Sequence, residues 1–548
     1  MYIILLFGLL ALVSAVLADV TYTVIGFPDV ATNSFAVEIN KKRYPLQTSE
    51  ATMPLWTAQI ANVSASSGYR YVQLDRLNRV IAREKFLRHF AEKDATATVN
   101  EFFNRPTTIT TLPPMKQVYK DIRPEPSKVF DSSQIATIHL TPDPAIFANM
   151  MNHPMDRKIK GVKAGFKFIN ADTVYSVGEV EINTSGHASR KYKKVSMRIK
   201  FDDKKGETFF NRPIIKLRAE YVEPTMIREK LYLDILNSVG VATYQGSFVR
   251  VFVNGKPHGF FLMVEDIEEP FLMNTIHQGT IKKKEELGEL FQMGSGFEAS
   301  MVYTGPHTAD YGKIYQQKII GDNPKEEPMK RFIAFMKDLQ DWNPDEGGGV
   351  SYWEKRLDLD GYLKSMALEY LTGAWDASWW RGHNYFMYYN PQHKVWQFIP
   401  TDFDHTFSKG NRPGVETTYK EYNQGLVNGK LTDHPLVTKL IYKNKDINKR
   451  FEDILWTITE GVFNNEALDA RIDAYMKQIE PDVAWDFSID RMDVPGRRHA
   501  WTMVDFHRSL THPVKNVRNG LKTWIADRAK SVAEQVGKEP VGKKPVGK

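Results

Sequence analysis

The stretch WDASWWRGHNYFMYYNPQHKVWQFIPTDFDHTF, residues 375–407, combines two strand-like runs with a turn between them. The runs 385–389 and 394–399 consist mostly of aromatic and β-branched residues, and Asn-Pro-Gln-His lies between them, so the stretch predicts a β-hairpin. Polar residues flank the predicted hairpin on both sides: Asp376, Asn384, Asp402 and Asp404.

The residues before this stretch predict a buried helix. Apolar residues recur at three- and four-residue spacing from Leu359 to Leu371, so Asp376 should emerge just past the end of that helix. In phosphoryl transfer one Asp lies near the attacking hydroxyl, while an Asn and a second Asp hold the metal ions. The order Asp, Asn, hairpin, Asp is therefore that of a kinase catalytic lobe. Taken singly, the same residues are equally typical of a helix end, a turn and a solvated strand end.

The same stretch resembles the core signature of the CotH family, the spore-coat protein H kinases, which reads Asn-Trp-Asp, then His-Asn-Tyr, then Pro-Trp-Asp-x-Asp. Further similar segments are KKVSMRIKF (193–201), IIKLRAEYVEPTMIREKLYLDILNSVGV (214–241) and VRVFVNGKPHGFFLMVEDI (249–267). The resemblance spans roughly residues 160–530. It implies an atypical protein kinase of the kind found in spore-forming bacteria and as secreted or surface proteins of moulds, where members are also associated with attachment to host cells.

The resemblance implies roles for the residues around the hairpin. Asp376 would be the catalytic carboxylate, and Asn384 and Asp402 would be ligands of Mg²⁺ or Mn²⁺. Asp404 would be an additional ligand or an outer neighbour of the metal. Two carboxylates at one strand end are in any case found more often at a hard-cation site than by chance.

The resemblance also implies a set of ATP-binding residues in the preceding part of the chain. Lys216 would contact the phosphates of ATP, and Glu265 would orient Lys216. Arg228 would contact phosphate or brace the lobe. Gly186 would supply the backbone freedom needed by a turn that covers the phosphates, although an ordinary hairpin turn explains a single glycine as well.

Three positions depart from the family pattern. Ala374 replaces the usual Asn before Trp-Asp, Thr401 replaces the Trp of Pro-Trp-Asp, and Ser185 stands where the family tends to have Arg before the glycine. The first two changes remove no metal-binding group, whereas Ser185 withdraws one cation from the predicted phosphate loop.

Composition and length fit a large folded protein. The 548 residues are 42% hydrophobic and 25% charged, which is ordinary for globular proteins and leaves room for two or three domains. The formal net charge of +7 is spread along the chain and no nucleic-acid motif occurs, so we assign no nucleic-acid partner. Absence of cysteine excludes disulfides and thiol catalysis.

The N-terminal residues 1–18 predict a signal peptide, since they are apolar and carry small residues before a cleavage site after Ala18. A membrane anchor is the weaker alternative, because about 17 apolar residues are barely enough to span a bilayer. No other segment is long and apolar enough to span, so we predict a secreted or cell-surface protein. Acceptor sequons for glycosylation occur at Asn62 and Asn183. A glycan at Asn183 would obstruct the predicted phosphate loop, so either this sequon is unused or the loop lies elsewhere.

The domain organisation follows from the distribution of strand and helix signals. Residues 19–125 carry short strand-like runs and predict a β-sandwich-like accessory domain. A β-rich N-lobe at 126–345 and a helical C-lobe with the catalytic hairpin at 346–535 follow, with Gly347–Gly349 as a hinge or an ordinary loop. The tail 536–548 is predicted to be disordered. The predicted fold class is α+β, an atypical bilobal protein-kinase-like fold with an N-terminal accessory domain.

The function predicted is that of a secreted atypical protein kinase, which uses ATP and Mg²⁺ or Mn²⁺ to phosphorylate Ser or Thr of an exported or surface protein. Two alternatives remain open. One is a cell-surface adhesin or invasin that binds a host or cell-surface receptor, for which the loop 293–311 offers adaptable contacts. The other is a glycoside hydrolase with Asp376 and Asp402 as its two carboxylates.

Overall fold

The computed structural model describes residues 17–64, 67–90, 92, 95–122, 127–293, 299–322, 327–410, 413–422, 426–427, 430–431, 434–492, 494–498 and 501–541. Within these ranges the protein has the mixed α+β architecture that the sequence predicts, with most strands in the first 320 residues and most helices after them. The predicted signal peptide lies almost entirely outside the described residues. In the described part of the chain, no helix combines the length and apolar character needed to cross a membrane.

The first seven strands form two sheets around one core. Their bounds are β1 (Leu17–Ile25), β2 (Ser34–Ile39), β3 (Lys42–Pro45), β4 (Leu55–Ser64), β5 (Tyr69–Leu74), β6 (Val80–Arg83) and β7 (Glu101–Phe102). One sheet has the order β4-β1-β7 and the other β3-β2-β5-β6. Because side chains alternate along a strand, Val20, Tyr22 and Val24 of β1 all face inward, where they pack in one hydrophobic cluster with Phe35 and Tyr71.

A closed seven-stranded barrel follows. It comprises β8 (Ala136–Pro142), β9 (Val162–Ile169), β10 (Val174–Thr184), β11 (Met197–Lys200), β12 (Ile214–Arg218), β13 (Gly246–Val253) and β14 (Lys256–Glu265), in the order β10-β11-β12-β14-β13-β8-β9. On β12, Ile215 and Leu217 are buried in the barrel core. By the same alternation Lys216 and Arg218 lie on the opposite face of β12.

Two helices accompany the barrel, α1 (Pro144–Asn152) between β8 and β9 and α2 (Arg228–Ser238) between β12 and β13. All residues of α2 are buried, which shows that this helix is enclosed on every side. After the barrel come the short helix α3 (Glu269–Phe271) and a π-helical turn at Leu272–Ile276.

A four-stranded sheet contains the predicted hairpin. It has the order β16-β15-β17-β18 and consists of β15 (Leu290–Met293), β16 (Tyr315–Ile319), β17 (Tyr385–Asn390) and β18 (Val395–Pro400). Strands of the predicted β-rich unit 126–345 therefore occur both in the barrel and in this sheet. The reason is long-range pairing, because β15 bonds to β17 with Phe291 opposite Met387.

The second half of the chain is mainly helical. Its helices are α4 (Lys330–Asp341), α5 (Gly349–Glu354), α6 (Leu359–Thr372), α7 (Ser378–Arg381), α8 (Lys445–Gly461), α9 (Asn465–Ser488), α10 (Met503–Arg508) and α11 (Leu521–Gln535), with a π-helical turn at Leu436–Lys443 and the small ladder β19 (Leu426–Val427) and β20 (Lys430–Leu431). Helix α6 packs on α8 and α11 and buries almost its whole length, as its apolar spacing predicts.

Candidate active site

A cavity of about 660 Å³ lies between the barrel and the four-stranded sheet. Its walls come from β12, β14 and the turn after β10 on the barrel side, and from the residues on either side of the hairpin on the other. Seven of the eight predicted site residues line it: Gly186, Lys216, Glu265, Asp376, Asn384, Asp402 and Asp404. The exception is Arg228.

The hairpin brings its two polar ends together. Tyr385 and Pro400 form the last pair of the ladder, and the N–H of Thr401 then donates to the carbonyl of Asn384 over 2.9 Å. Asn384 and Asp402 are consequently neighbours across the open end of the hairpin. Both have left-handed backbone conformations, with φ of 58° and 62°, which Asn and Asp tolerate better than most residues.

Asp376 is held in the segment that follows α6. The side-chain amide of Asn384 donates to the carbonyl of Asp376 over 2.6 Å. The carboxylate of Asp376 lies 3.3 Å from Nη1 of Arg381 and 3.6 Å from Nδ1 of His383, and it remains about a quarter exposed to the cavity. It is therefore positioned at the surface of the cavity with an open side for a substrate.

A buried carboxylate on α6 anchors the same segment. Glu369 accepts hydrogen bonds from the backbone N–H groups of Ser378 (3.3 Å) and Trp379 (2.7 Å), which begin the short helix α7. Burial raises the pKa of Glu369 to about 8, in spite of these two hydrogen bonds. Glu369 thus ties the long helix to the loop that carries Asp376.

Arg218 is the main residue that the sequence reasoning missed. Its Nη2 lies 2.5 Å from Oδ1 of Asp402 and 3.6 Å from Oδ2 of Asp404, while its Nε lies 2.6 Å from Oε2 of Glu229 on α2. Although burial opposes ionisation, the guanidinium holds the pKa of Asp402 below its ordinary value. The available signal was the strand period of two, since Arg218 shares one face of β12 with the predicted phosphate ligand Lys216.

Lys216 is paired with a residue other than the one predicted. Its Nζ lies 2.7 Å from Oδ1 of Asp266, whereas Glu265 pairs with Nε of Arg212 over 2.8 Å. Successive side chains of a strand point to opposite sides, and Glu265 is the last residue of β14, so the neighbouring Asp266 faces Lys216 instead. Asp266, and not Glu265, is therefore the acid that pairs with Lys216 in the structure.

Arg228 lies inside the protein and not in the cavity. It is fully buried at the start of α2, where its guanidinium bonds to the carboxylate of Glu223 and, over 3.0 Å, to the hydroxyl of Thr225. Complete burial keeps Arg228 from phosphate contact in this conformation, and its contact with Glu223 agrees with the bracing role that the sequence left as the alternative.

Gly186 lies in the turn between β10 and the 3₁₀ turn Ala188–Lys191, with φ of 90°. A Cβ atom at this position would lie 2.0 Å from Oγ of Ser189, so a larger residue would meet both backbone strain and a clash. The turn therefore needs glycine, and it forms part of the cavity wall.

Negative charge exceeds positive charge around Arg218. Besides Glu229, Asp402 and Asp404, the buried Glu220 lies 3.6 Å from the guanidinium. Both carboxylate oxygens of Glu220 are without a hydrogen-bond partner among the described residues. Burial, and next the charge of Asp402, raise the pKa of Asp404. One guanidinium therefore faces four carboxyl groups.

The donor chemistry fits a divalent cation. Carboxylate and amide oxygens are the ligands preferred by Mg²⁺, which usually also keeps waters and phosphate oxygens as ligands. Within the described ranges no three His, Cys, Asp or Glu side chains are arranged as a ready metal site. A metal ion here would thus be held by Asp402 and Asp404, with the amide oxygen of Asn384 and oxygens from outside the protein.

Comparison with known proteins gives a family match and several relatives. The family model described as CotH kinase protein matches residues 182–532. Invasin CotH3 of Rhizopus delemar is 28% identical over 523 residues, which are 91% of this chain and 82% of that protein. Invasin CotH2 of the same mould is 28% identical over 80% of this chain and 74% of its own length. Inner spore coat protein H of Bacillus subtilis is 24% identical over 56% of this chain and 78% of its own length. The family match covers more than half of the sequence, and the chain therefore belongs to the CotH kinase protein family.

Proposed function

We propose that the protein is an atypical protein kinase that transfers the γ-phosphate of ATP to Ser or Thr of an exported or surface protein. One observation carries this proposal. A single cavity combines Lys216 and Arg218 of the barrel with Asp376, Asn384 and Asp402 around the hairpin. Phosphoryl transfer requires this combination of cations for phosphate, oxygen donors for metal and a carboxylate near the nucleophile.

The proposed role of each residue follows from its position in the cavity. Lys216 would contact the phosphates of ATP, with Asp266 holding its ammonium group. Asp376 would orient the substrate hydroxyl and accept its proton, as a general base does. Mg²⁺ or Mn²⁺, bound through Asp402 and Asp404, would neutralise charge on the transferred phosphate. The cavity of about 660 Å³ is within the usual size range for small-ligand sites.

Arg218 would link the barrel strand β12 to α2 and to the metal-binding residue Asp402. In protein kinases a strand cation pairs with an acid on the following helix, and this pair must form together with the metal-binding Asp. Here Arg218 of β12 contacts Glu229 of α2 and Asp402 at once. We propose on this basis that the barrel and the helical half act as the two lobes of a kinase-like fold, with the sheets of residues 17–102 as an accessory domain.

The deciding experiment is transfer of radiolabelled phosphate from ATP to protein substrates, with and without a chelator. Incorporation that requires Mg²⁺ or Mn²⁺ and is lost in Asp376→Asn supports the proposal. Release of sugar from a glycan without metal, with no phosphate transfer, would support the glycoside hydrolase instead.

A surface adhesin is the second candidate, because two of the relatives carry the name invasin. A role in adhesion also agrees with the predicted export to the cell surface. The loop 293–311 is the candidate contact, although residues 294–298 of it lie outside the described ranges. If adhesion is independent of catalysis, Asp402→Ala protein should bind partner cells as wild type does, and exchange of the loop should spare phosphate transfer. Loss of both properties in both folded variants would contradict this separation.

A further inference from the structure

A second cavity, of about 380 Å³, adjoins the candidate active site. Arg157 is part of the walls of both cavities. Asn183 and Thr184 line the second cavity and the next residues, Ser185 and Gly186, line the first. The wall is therefore continuous, and we call the second cavity the side groove.

Two arginines in the side groove are without acidic partners. Arg190 donates to the carbonyls of Thr184 (2.8 Å) and Pro154 (3.5 Å), and its buried Nε has no partner among the residues described. Arg157 is exposed, and neither guanidinium forms an ion pair within the described part of the chain. Both arginines line this groove, and burial, and next the charge of Arg157, lower the pKa of Arg190.

The groove also contains one carboxylate, that of Asp156. Its Oδ1 accepts a hydrogen bond from the backbone N–H of Lys158 over 2.9 Å, so this carboxylate oxygen points toward its own turn. Two guanidinium groups that repel each other are stabilised when an anion binds between them, and guanidinium forms strong paired hydrogen bonds with carboxylate and phosphate oxygens.

We propose that the side groove binds an anionic side chain of the protein substrate, a carboxylate or a phosphomonoester, and so makes the kinase select acidic sequences around the phosphorylated residue. This inference rests on the proposed kinase function. It concerns the substrate rather than ATP, because Arg190 lines only the side groove, while Lys216 and Arg218 lie in the cavity assigned to the nucleotide.

The test compares Arg157→Glu with Lys158→Glu. Lys158 is the adjacent exposed residue, lines neither cavity and undergoes the same change of charge, so it is a matched control. Three peptides share one Ser acceptor and differ only in flanking residues, which are Asp, phosphoserine or Asn. Steady-state kinetics with ATP give KM and kcat for each peptide, and circular dichroism verifies folding.

Wild type should have a KM for the Asp and phosphoserine peptides about threefold to tenfold lower than for the Asn peptide, the range expected of one or two partly exposed ion pairs. Arg157→Glu should remove this difference in KM between the anionic and the Asn peptides, whereas Lys158→Glu should behave as wild type. The two anionic peptides distinguish carboxylate from phosphomonoester recognition.

Two results would overturn the inference: no preference in wild type, or equal effects of both variants on the preference. Failure of the kinase proposal is distinguishable, because wild type would then phosphorylate none of the peptides. In that case fluorescence anisotropy of the labelled Asp peptide without ATP still tests the side groove. Peptide binding that is weakened by Arg157→Glu but not by Lys158→Glu would support an anion site. Equal peptide affinity in the two variants would reject it.

Discussion

The guanidinium of Arg218 lies 2.5 Å from the carboxylate of Asp402, which joins a strand of the barrel to the loop after the hairpin. The two residues are 184 positions apart in the sequence. Through Glu229 the same guanidinium also reaches α2. This one side chain therefore contributes directly to the relative position of the two walls of the cavity, together with the hydrogen bond from the N–H of Asp402 to the hydroxyl of Tyr244.

Replacement of Arg218 should uncouple the two walls. In Arg218→Met the buried carboxyl groups of Glu229 and Asp402 lose their cationic partner and must either carry an uncompensated charge or take up a proton, so without metal the free energy of unfolding should fall by about 3 kcal/mol and phosphate transfer should be lost. Arg218→Lys should retain part of the stability and part of the transfer activity. It keeps the positive charge but lacks the guanidinium group that bonds two acids at once. Lys200→Met, on the neighbouring strand β11, is the control. Denaturant unfolding and transfer assays measure the effect, and normal activity in Arg218→Met would contradict it.

Asp376→Asn should impair turnover and spare nucleotide binding. The substitution keeps the shape of the side chain and removes its ability to accept a proton, so kcat should fall by roughly 10²–10⁴-fold. The affinity for ATP, measured by calorimetry, should change little. Loss of ATP binding with normal turnover per bound complex would instead identify Asp376 as a metal ligand.

ATP binding should require divalent metal and Asp402. A ligand that binds only the folded state stabilises it by about 2.7 kcal/mol at a hundredfold excess over Kd, which is visible as a rise in Tm. We expect this rise with Mg²⁺ or Mn²⁺ present, and none with chelator or in Asp402→Asn. An equal rise in all three conditions would remove the metal site from this position.

The partner of Lys216 can be identified by two conservative substitutions. Lys216→Met should raise KM for ATP by about tenfold or more, the equivalent of 1.4 kcal/mol. Asp266→Asn should raise it in the same direction, because it removes the charge that holds the ammonium group. Glu265→Gln should leave it nearly unchanged and lower stability through Arg212. The reverse ranking would restore Glu265 as the orienting residue.

Glu369 should make stability depend on pH. Its pKa is about 8 in the folded protein and near 4.5 in the unfolded chain, so between these values the folded state binds more protons. Stability should then decrease as pH rises, by up to about 1.4 kcal/mol per pH unit. This decrease should be smaller in Glu369→Gln and unchanged in Glu460→Gln, an exposed control on α8. Parallel stability curves for the two variants between pH 5 and 8 would refute this assignment.

Local sequence patterns predicted the elements that carry the site. The alternation and turn signal of residues 385–400 correspond to β17 and β18, and the spacing of residues 359–371 corresponds to α6. Both signals arise between residues close in the sequence, so they are readable without the rest of the fold. The family motifs likewise identified seven residues that line one cavity.

The sequence by itself therefore determined the α+β class, the hairpin and the types of polar residue around it. Only the tertiary structure decided which charges meet: Arg218 with Asp402, Lys216 with Asp266, and Arg228 with Glu223 inside the protein. Such pairs depend on barrel closure and on the packing of β12 against a loop from the second half of the chain. Local propensity contains no information about contacts of this range, because they form only when distant elements share one core.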